Sequence, residues 1–227
     1  MAKLTKKEIK KDRIGETVAK VWEYARTHLE IVGGGALAVV IIILAVAIFL
    51  QNKVRSEADA LLPFDNAQGI YLQASNPQDL EKAIAQFEDI AKRYGSTASG
   101  RKALLYLGLS YRRIAAHDKA ITYFRGFLAK GEKNDILRAA GEEGLAACYE
   151  DKGDFKEAAR LYGEMAGHFA KDPLPATRAL LAAGRCYEIL KDYTSARKTY
   201  QEILDRFPAS PRSYDAKVAL AMLPHPD

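Results

Sequence analysis

The strongest constraint in this chain is a set of small and aromatic residues that recur in one phase. Alanines stand at Ala83, Ala120, Ala158 and Ala196, separated by 37, 38 and 38 residues. Counted from Arg101, residues Leu104, Leu107, Gly108, Tyr111, Ala120, Phe124 and Phe127 fall at positions 4, 7, 8, 11, 20, 24 and 27. Counted from Thr177, residues Leu180, Ala183, Gly184, Tyr187, Ala196, Tyr200, Ile203 and Pro208 fall at positions 4, 7, 8, 11, 20, 24, 27 and 32. A copy between them carries Leu145, Ala146, Tyr149, Ala158, Tyr162 and Met165. A degenerate copy before them carries Ile70, Tyr71, Ala74, Ala83, Phe87 and Ile90. Apolar residues three and four apart mark helices, and a repeat of this length is a pair of them. Small residues at positions 8 and 20 let the paired helices approach. Aromatics at 11 and 24 fill the space between neighbouring pairs.

This pattern resembles the tetratricopeptide repeat, whose unit is an antiparallel helical hairpin of about 34 residues. The spacing implies longer connections between units, one of them Asp172-Pro173-Leu174-Pro175, because proline removes a donor and stops a helix. Within units the turns are short, at Glu150–Asp154 and Leu190–Asp192. The expected fold is all-α: about four hairpins over residues 64–227, closed by a helix at Arg212–Met222.

A second feature sets the organisation of the chain. Ile31–Leu50 is twenty residues without a charge, enough for a helix to cross a bilayer core of about 30 Å. A cleavable signal peptide has an apolar region of about 7–15 residues near its start. Here the run is longer and follows thirty mostly polar residues, which favours an uncleaved anchor over a signal peptide or a buried soluble helix. Residues 1–30 hold eight Lys/Arg against five Asp/Glu, so the positive-inside rule puts the N-terminus in the cytoplasm and the large domain across the membrane. In a bacterium that compartment is the periplasm. The expected layout is a cytoplasmic basic segment (1–30), a transmembrane helix (31–50), a juxtamembrane linker or helix (51–63) and the repeat domain (64–227). Gly33-Gly34-Gly35 and Ala38 offer a small-residue face for helix packing, or are simply membrane-helix glycines. Lys3–Arg26 reads as an amphipathic surface helix with Val18, Val21, Trp22 and Ala25 on one face, or as a solvated basic tail.

Several chemistries find no support. Residues 51–227 carry 26 Lys/Arg and 24 Asp/Glu, a balance that argues against nucleic acid. His28, His117, His168 and His225 form no ligand pair, no cofactor motif is present, and no metal is expected. Gly95–Lys102 misses the phosphate-loop pattern, with Arg101 where lysine belongs. Cys148 and Cys186 share position 10 of adjacent units. Neighbouring helices there stand about 8–10 Å apart or more, and a disulfide needs Cα atoms within about 7 Å. Two separate packed thiols are expected. The chain is read as a non-enzyme.

The repeat resemblance implies a concave wall built from the first helix of each hairpin, with positions 2, 5, 9, 12 and 13 facing the groove. These are Lys102, Leu105, Leu109, Arg112 and Arg113, then Ala140, Glu143, Ala147, Glu150 and Asp151, then Arg178, Leu181, Arg185, Glu188 and Ile189. Such a wall suits an extended or helical peptide of another protein. It lacks the Lys/Asn set that clamps chaperone C-termini in related repeats. The whole layout is also similar to bacterial inner-membrane tetratricopeptide-like proteins that include the ancillary subunit of the Sec translocon. That similarity rests on Val21-Trp22-Glu23-Tyr24, the anchor, the polar exit Gln51–Ala58 and the degenerate first hairpin. It implies translocon subunits and periplasmic chaperones as partners. An assembly or coordination factor of an envelope machine, in outer-membrane barrel assembly or cell division, is the alternative. A lipoprotein of that kind needs a cysteine near Leu50, and none is present.

Overall fold

A computed structural model describes the backbone of residues 6–224 and their side chains, except those of residues 6–14, 25, 29, 31–33 and 36. The side chains of Ala25 and Gly33, and residues Lys3 and His225, therefore lie outside the described residues. Among the described residues every regular element is a helix. The chain divides into two units, Met1–Arg55 and Ser56–Asp227.

In the first unit, α1 spans Lys6–Thr27 and α2 begins at Leu29. The break is one residue wide. Thr27 folds its hydroxyl back onto the Glu23 carbonyl at 2.9 Å, as a β-branched hydroxyl at a helix end does. The side chain of His28 stacks on Tyr24, with ring centroids 4.4 Å apart. From Leu37 onward α2 is long and apolar enough to cross a membrane by length and composition, and none of that apolar window is buried.

The second unit holds the remainder of α2, which ends at Gln73, and then α3 (Pro77–Arg93), α4 (Ala98–Arg113), α5 (His117–Ala129), α6 (Asp135–Asp151), α7 (Phe155–His168), α8 (Pro173–Ile189), α9 (Tyr193–Arg206) and α10 (Arg212–Met222). The four hairpins are the end of α2 with α3, α4 with α5, α6 with α7, and α8 with α9. This folded unit includes residues ahead of Phe64. Ala60 is fully buried, and both carboxylate oxygens of Glu57 accept the Ala98 N–H, at 2.9 and 3.0 Å. An anion at the start of α4 satisfies a donor that has no partner within the helix.

The repeating residues do what their spacing demands. Ala83, Ala120, Ala158 and Ala196 are all 0% exposed, so each position-20 alanine is fully enclosed in the helix packing. Gly108 is buried, and a Cβ there would lie 2.7 Å from two ring carbons of Phe124 in the paired helix. Gly184 faces Tyr200 in the same way. Phe124 also lies against the next hairpin, where a Cβ on Gly144 would sit 2.6 Å from its Cε1. One aromatic thus holds a hairpin closed and seats the next one. Cys148 and Cys186 are free and fully buried. Burial pushes both thiols up to about 11.

Three turns inside hairpins share one geometry. Ala115, Gly153 and Lys191 occupy the same register position and all have positive φ, at 55°, 80° and 59°. The following N–H groups of Ala116, Asp154 and Asp192 each return to a tyrosine carbonyl, of Tyr111, Tyr149 and Tyr187, at 2.9 Å. This is a Schellman-type helix end, which favours glycine at the left-handed residue. Asp154 and Asp192 then cap the second helix through their side chains, and the methyl of Ala116 has no acceptor to do so.

Candidate functional site

Contacts among the first helices define the inner wall. Helix α4 touches α6, α6 touches α8, and α8 touches α10, whereas among the described residues α3, α5, α7 and α9 make no such contacts with one another. The first helices therefore crowd on one side of the stack and the second helices fan out on the other, as a curved solenoid requires.

The sequence-derived groove residues fall into three groups. Leu105 and Leu181 are 2% and 8% exposed, so they belong to the core beneath the wall and present almost no surface. Lys102, Leu109, Arg112 and Arg178 are half-buried, and Arg113 and Arg185 are exposed. Most of the wall's charges already have partners. Arg112 Nε donates to Asp151 Oδ2 at 2.7 Å across one repeat boundary, and that bond holds the guanidinium proton more tightly than usual. Arg178 pairs with Glu143 at 2.6 Å across the next boundary. Arg113 donates to the carbonyls of Tyr71 and Ala74 at 3.0 and 2.8 Å, covering the end of α2. Lys102 lies over the Phe64 ring, 5.8 Å from its centroid. Among the described residues Arg185 has no ion-pair partner within 4.0 Å.

Two features of the wall escape the sequence pattern. The first is a tyrosine–glutamate pair within a hairpin. Tyr162 donates to Glu150 at 2.8 Å, and Tyr200 donates to Glu188. Burial, then the neighbouring carboxylate, pushes both phenols well above their ordinary value. In the second unit position 24 is Phe124 and position 12 is Arg112, so the acid appears only where a hydroxyl needs an acceptor. That covariation between positions 12 and 24 is the signal that would find it.

The second feature is the part played by α10. This helix does close the stack, burying Ser213 and Ala216, and Leu223 just after it is buried too. It also prolongs the wall. Setting Arg206-Phe207 over Arg93-Tyr94 puts Val218 and Met222 where Leu105 and Leu109 stand. Both are exposed, at 40% and 78%. With Leu181, Arg185, Glu188 and Ile189 they line an open cavity of about 790 Å³ between α8 and α10. Exposed Ile189, Val218 and Met222 give this cavity an apolar surface at the C-terminal end of the stack.

The repeat signature is placed as follows. Gly108, Tyr111, Ala120, Ala158, Gly184 and Ala196 are buried, Tyr149 and Tyr187 are half-buried, and Pro208 is exposed in the turn after α9. Tyr111 donates to Glu88 of the preceding hairpin at 2.8 Å. Tyr149 accepts from Arg125 at 2.7 Å. Position 11 therefore stitches the second hairpin to the first and the third to the second.

A family model described as tetratricopeptide repeat matches residues 74–135 and 149–211. Among solved structures, a tetratricopeptide repeat protein from Parabacteroides merdae ATCC 43184 is 19% identical with a TM-score of 0.54, over 70% of this chain and 59% of that one. A Podosopora anserina protein assigned as a kinesin light chain, with nearly identical tetratricopeptide-like repeats, is 15% identical with a TM-score of 0.55, over 70% of this chain and 82% of that one. At these identities the likeness is one of fold. No curated protein sequence matches the chain.

Proposed function

The chain belongs to the tetratricopeptide repeat family, and from that premise we propose that it is a membrane-anchored periplasmic scaffold whose inner wall holds a segment of another protein. Repeats of this kind are protein–protein interaction scaffolds rather than catalysts. The observation that carries the reading is the wall itself: first helices packed side by side, in phase, from α4 to α10. The half-buried Leu109 and the cavity between α8 and α10, with Ile189, Val218 and Met222, offer anchors for apolar side chains, and Arg185 offers a charge that orients them. Anchoring rests on α2 and its uncharged run Ile31–Leu50. The basic N-terminal flank favours a cytoplasmic N-terminus and a domain on the far side of an inner membrane.

The layout supports a role in secretion or envelope protein biogenesis, with translocon subunits and periplasmic chaperones as partners. Co-purification of the full chain in mild detergent, followed by mass spectrometry, tests this. Enrichment of translocon subunits or chaperones supports it. Enrichment of barrel-assembly or division proteins instead would move the scaffold to another envelope machine. Recovery of no stoichiometric protein would contradict a scaffold role.

A further inference from the structure

Helix α1 presents an exposed apolar face among the described residues. Val18, Val21 and Trp22 are 62%, 63% and 73% exposed, each far more than a packed helix allows. At about 100° per residue the three share one side of the helix. Glu16 and Glu23 fall on the opposite side. Lys20 also lies away from the apolar face, and Arg26 flanks it. Over its whole length α1 carries seven Lys/Arg against four Asp/Glu. An apolar stripe, an outward acidic side and a cationic surplus are the pattern of a helix lying in a membrane interface, with long cations reaching lipid phosphates.

Position along the chain supports the same partner. Helix α1 ends at Thr27, and the uncharged run begins at Ile31. Three intervening residues span at most about 11 Å. A helix tethered that closely meets the bilayer at high effective concentration, and weak intrinsic affinity is then sufficient. Tryptophan favours the headgroup level for its amphipathic ring.

We propose that α1 lies on an anionic bilayer surface, with Val18, Val21 and Trp22 in the headgroup–acyl boundary. This inference rests on the reading of residues 31–50 as a membrane anchor. Trp22 is the only tryptophan of the chain, so it reports on α1 alone.

The full chain is reconstituted into vesicles of phosphatidylcholine and of phosphatidylcholine with phosphatidylglycerol. Flotation with the vesicles tests the anchor. Trp22 emission and its quenching by brominated lipids test α1. The expected result is a blue-shifted, lipid-quenched Trp22 in the anionic vesicles, less so in phosphatidylcholine. The difference between lipids should shrink at about 1 M salt, where the screening length falls to about 3 Å. Val18→Asp with Val21→Asp should return the emission to that of a water-exposed indole. Arg26→Gln, which keeps the apolar face and removes the cation that flanks it, should weaken the preference for anionic lipid. A chain that floats, with Trp22 unquenched and equally red in both lipids, overturns the proposal and leaves the anchor intact. A chain that does not float overturns both.

Discussion

The contact between Gly184 and Tyr200 gives the repeat register a quantitative test. A Cβ on Gly184 would overlap the Tyr200 ring, 2.5 Å from Cζ and 2.8 Å from Cδ1. Carbon atoms rest at about 3.5–4.0 Å, and Cε1 stands closer still than Cζ, so the ring must retreat by more than about 1 Å. It has little freedom to do so. Tyr200 is 1% exposed, and its hydroxyl is held by Glu188. Overpacking of this kind costs about 1–3 kcal/mol. Replacing a helical glycine by alanine returns about 1 kcal/mol. We expect Gly184→Ala to destabilise by up to about 2 kcal/mol net, which is up to roughly 8 °C in Tm for a domain of this size. Gly163→Ala is the matched control, because nothing lies within 4 Å of a Cβ there. It should stabilise by about 0.5–1 kcal/mol. Tyr200→Leu removes the ring atoms that the new methyl meets, so the double variant with Gly184→Ala should lose less than the sum of its parts. Thermal melts followed by circular dichroism read all four proteins. Equal, stabilising effects of Gly184→Ala and Gly163→Ala would refute the close approach of α8 and α9.

Other consequences are as specific. Ala115→Gly and Ala116→Asp copy the Gly153-Asp154 turn, relieving a left-handed alanine and adding a missing cap, and each should raise stability by about 1 kcal/mol in urea titrations. Ser110 is fully buried at the position held elsewhere by Cys148 and Cys186, and its hydroxyl has no hydrogen-bond partner among the described residues. Ser110→Cys should therefore stabilise by about 1 kcal/mol, and a loss of stability would point to an acceptor. The two thiols titrate higher when folded than their ordinary value near 9, at about 11. Above pH 9 the unfolded chain ionises first, so stability should be full below pH 9 and fall as pH rises toward 11. Urea midpoints unchanged between pH 8 and 11 in the wild type would contradict this.

How far the structure could be read in the sequence depended on what packs by size. Gly108, Gly184 and the position-20 alanines are buried where their spacing put them, because small side chains at a helix crossing leave few alternatives. Cys148 and Cys186 are separate thiols for the same reason of register. The extent of α2 was less legible. The composition changes at Leu50, but the backbone stays helical to Gln73, since Gln51–Leu62 keeps good helix formers and Pro63 does not end the helix. Long polar side chains were the least legible. Nothing in a periodicity says that Arg112 crosses to Asp151, that Arg178 crosses to Glu143, or that Arg113 turns back to the end of α2. The inner-wall face of α10 was hidden because Val218 and Met222 complete a first helix that has no second one after it among the described residues.

Site-specific photo-crosslinking in intact membranes tests the central claim most directly. A photoreactive residue at Leu109 or Arg185 lies on the inner wall, and one at Lys156 or Arg160 lies on the exposed face of α7. The account predicts discrete protein adducts from the first pair and few from the second. Adducts confined to Lys156 and Arg160, with none from Leu109 or Arg185, would contradict it.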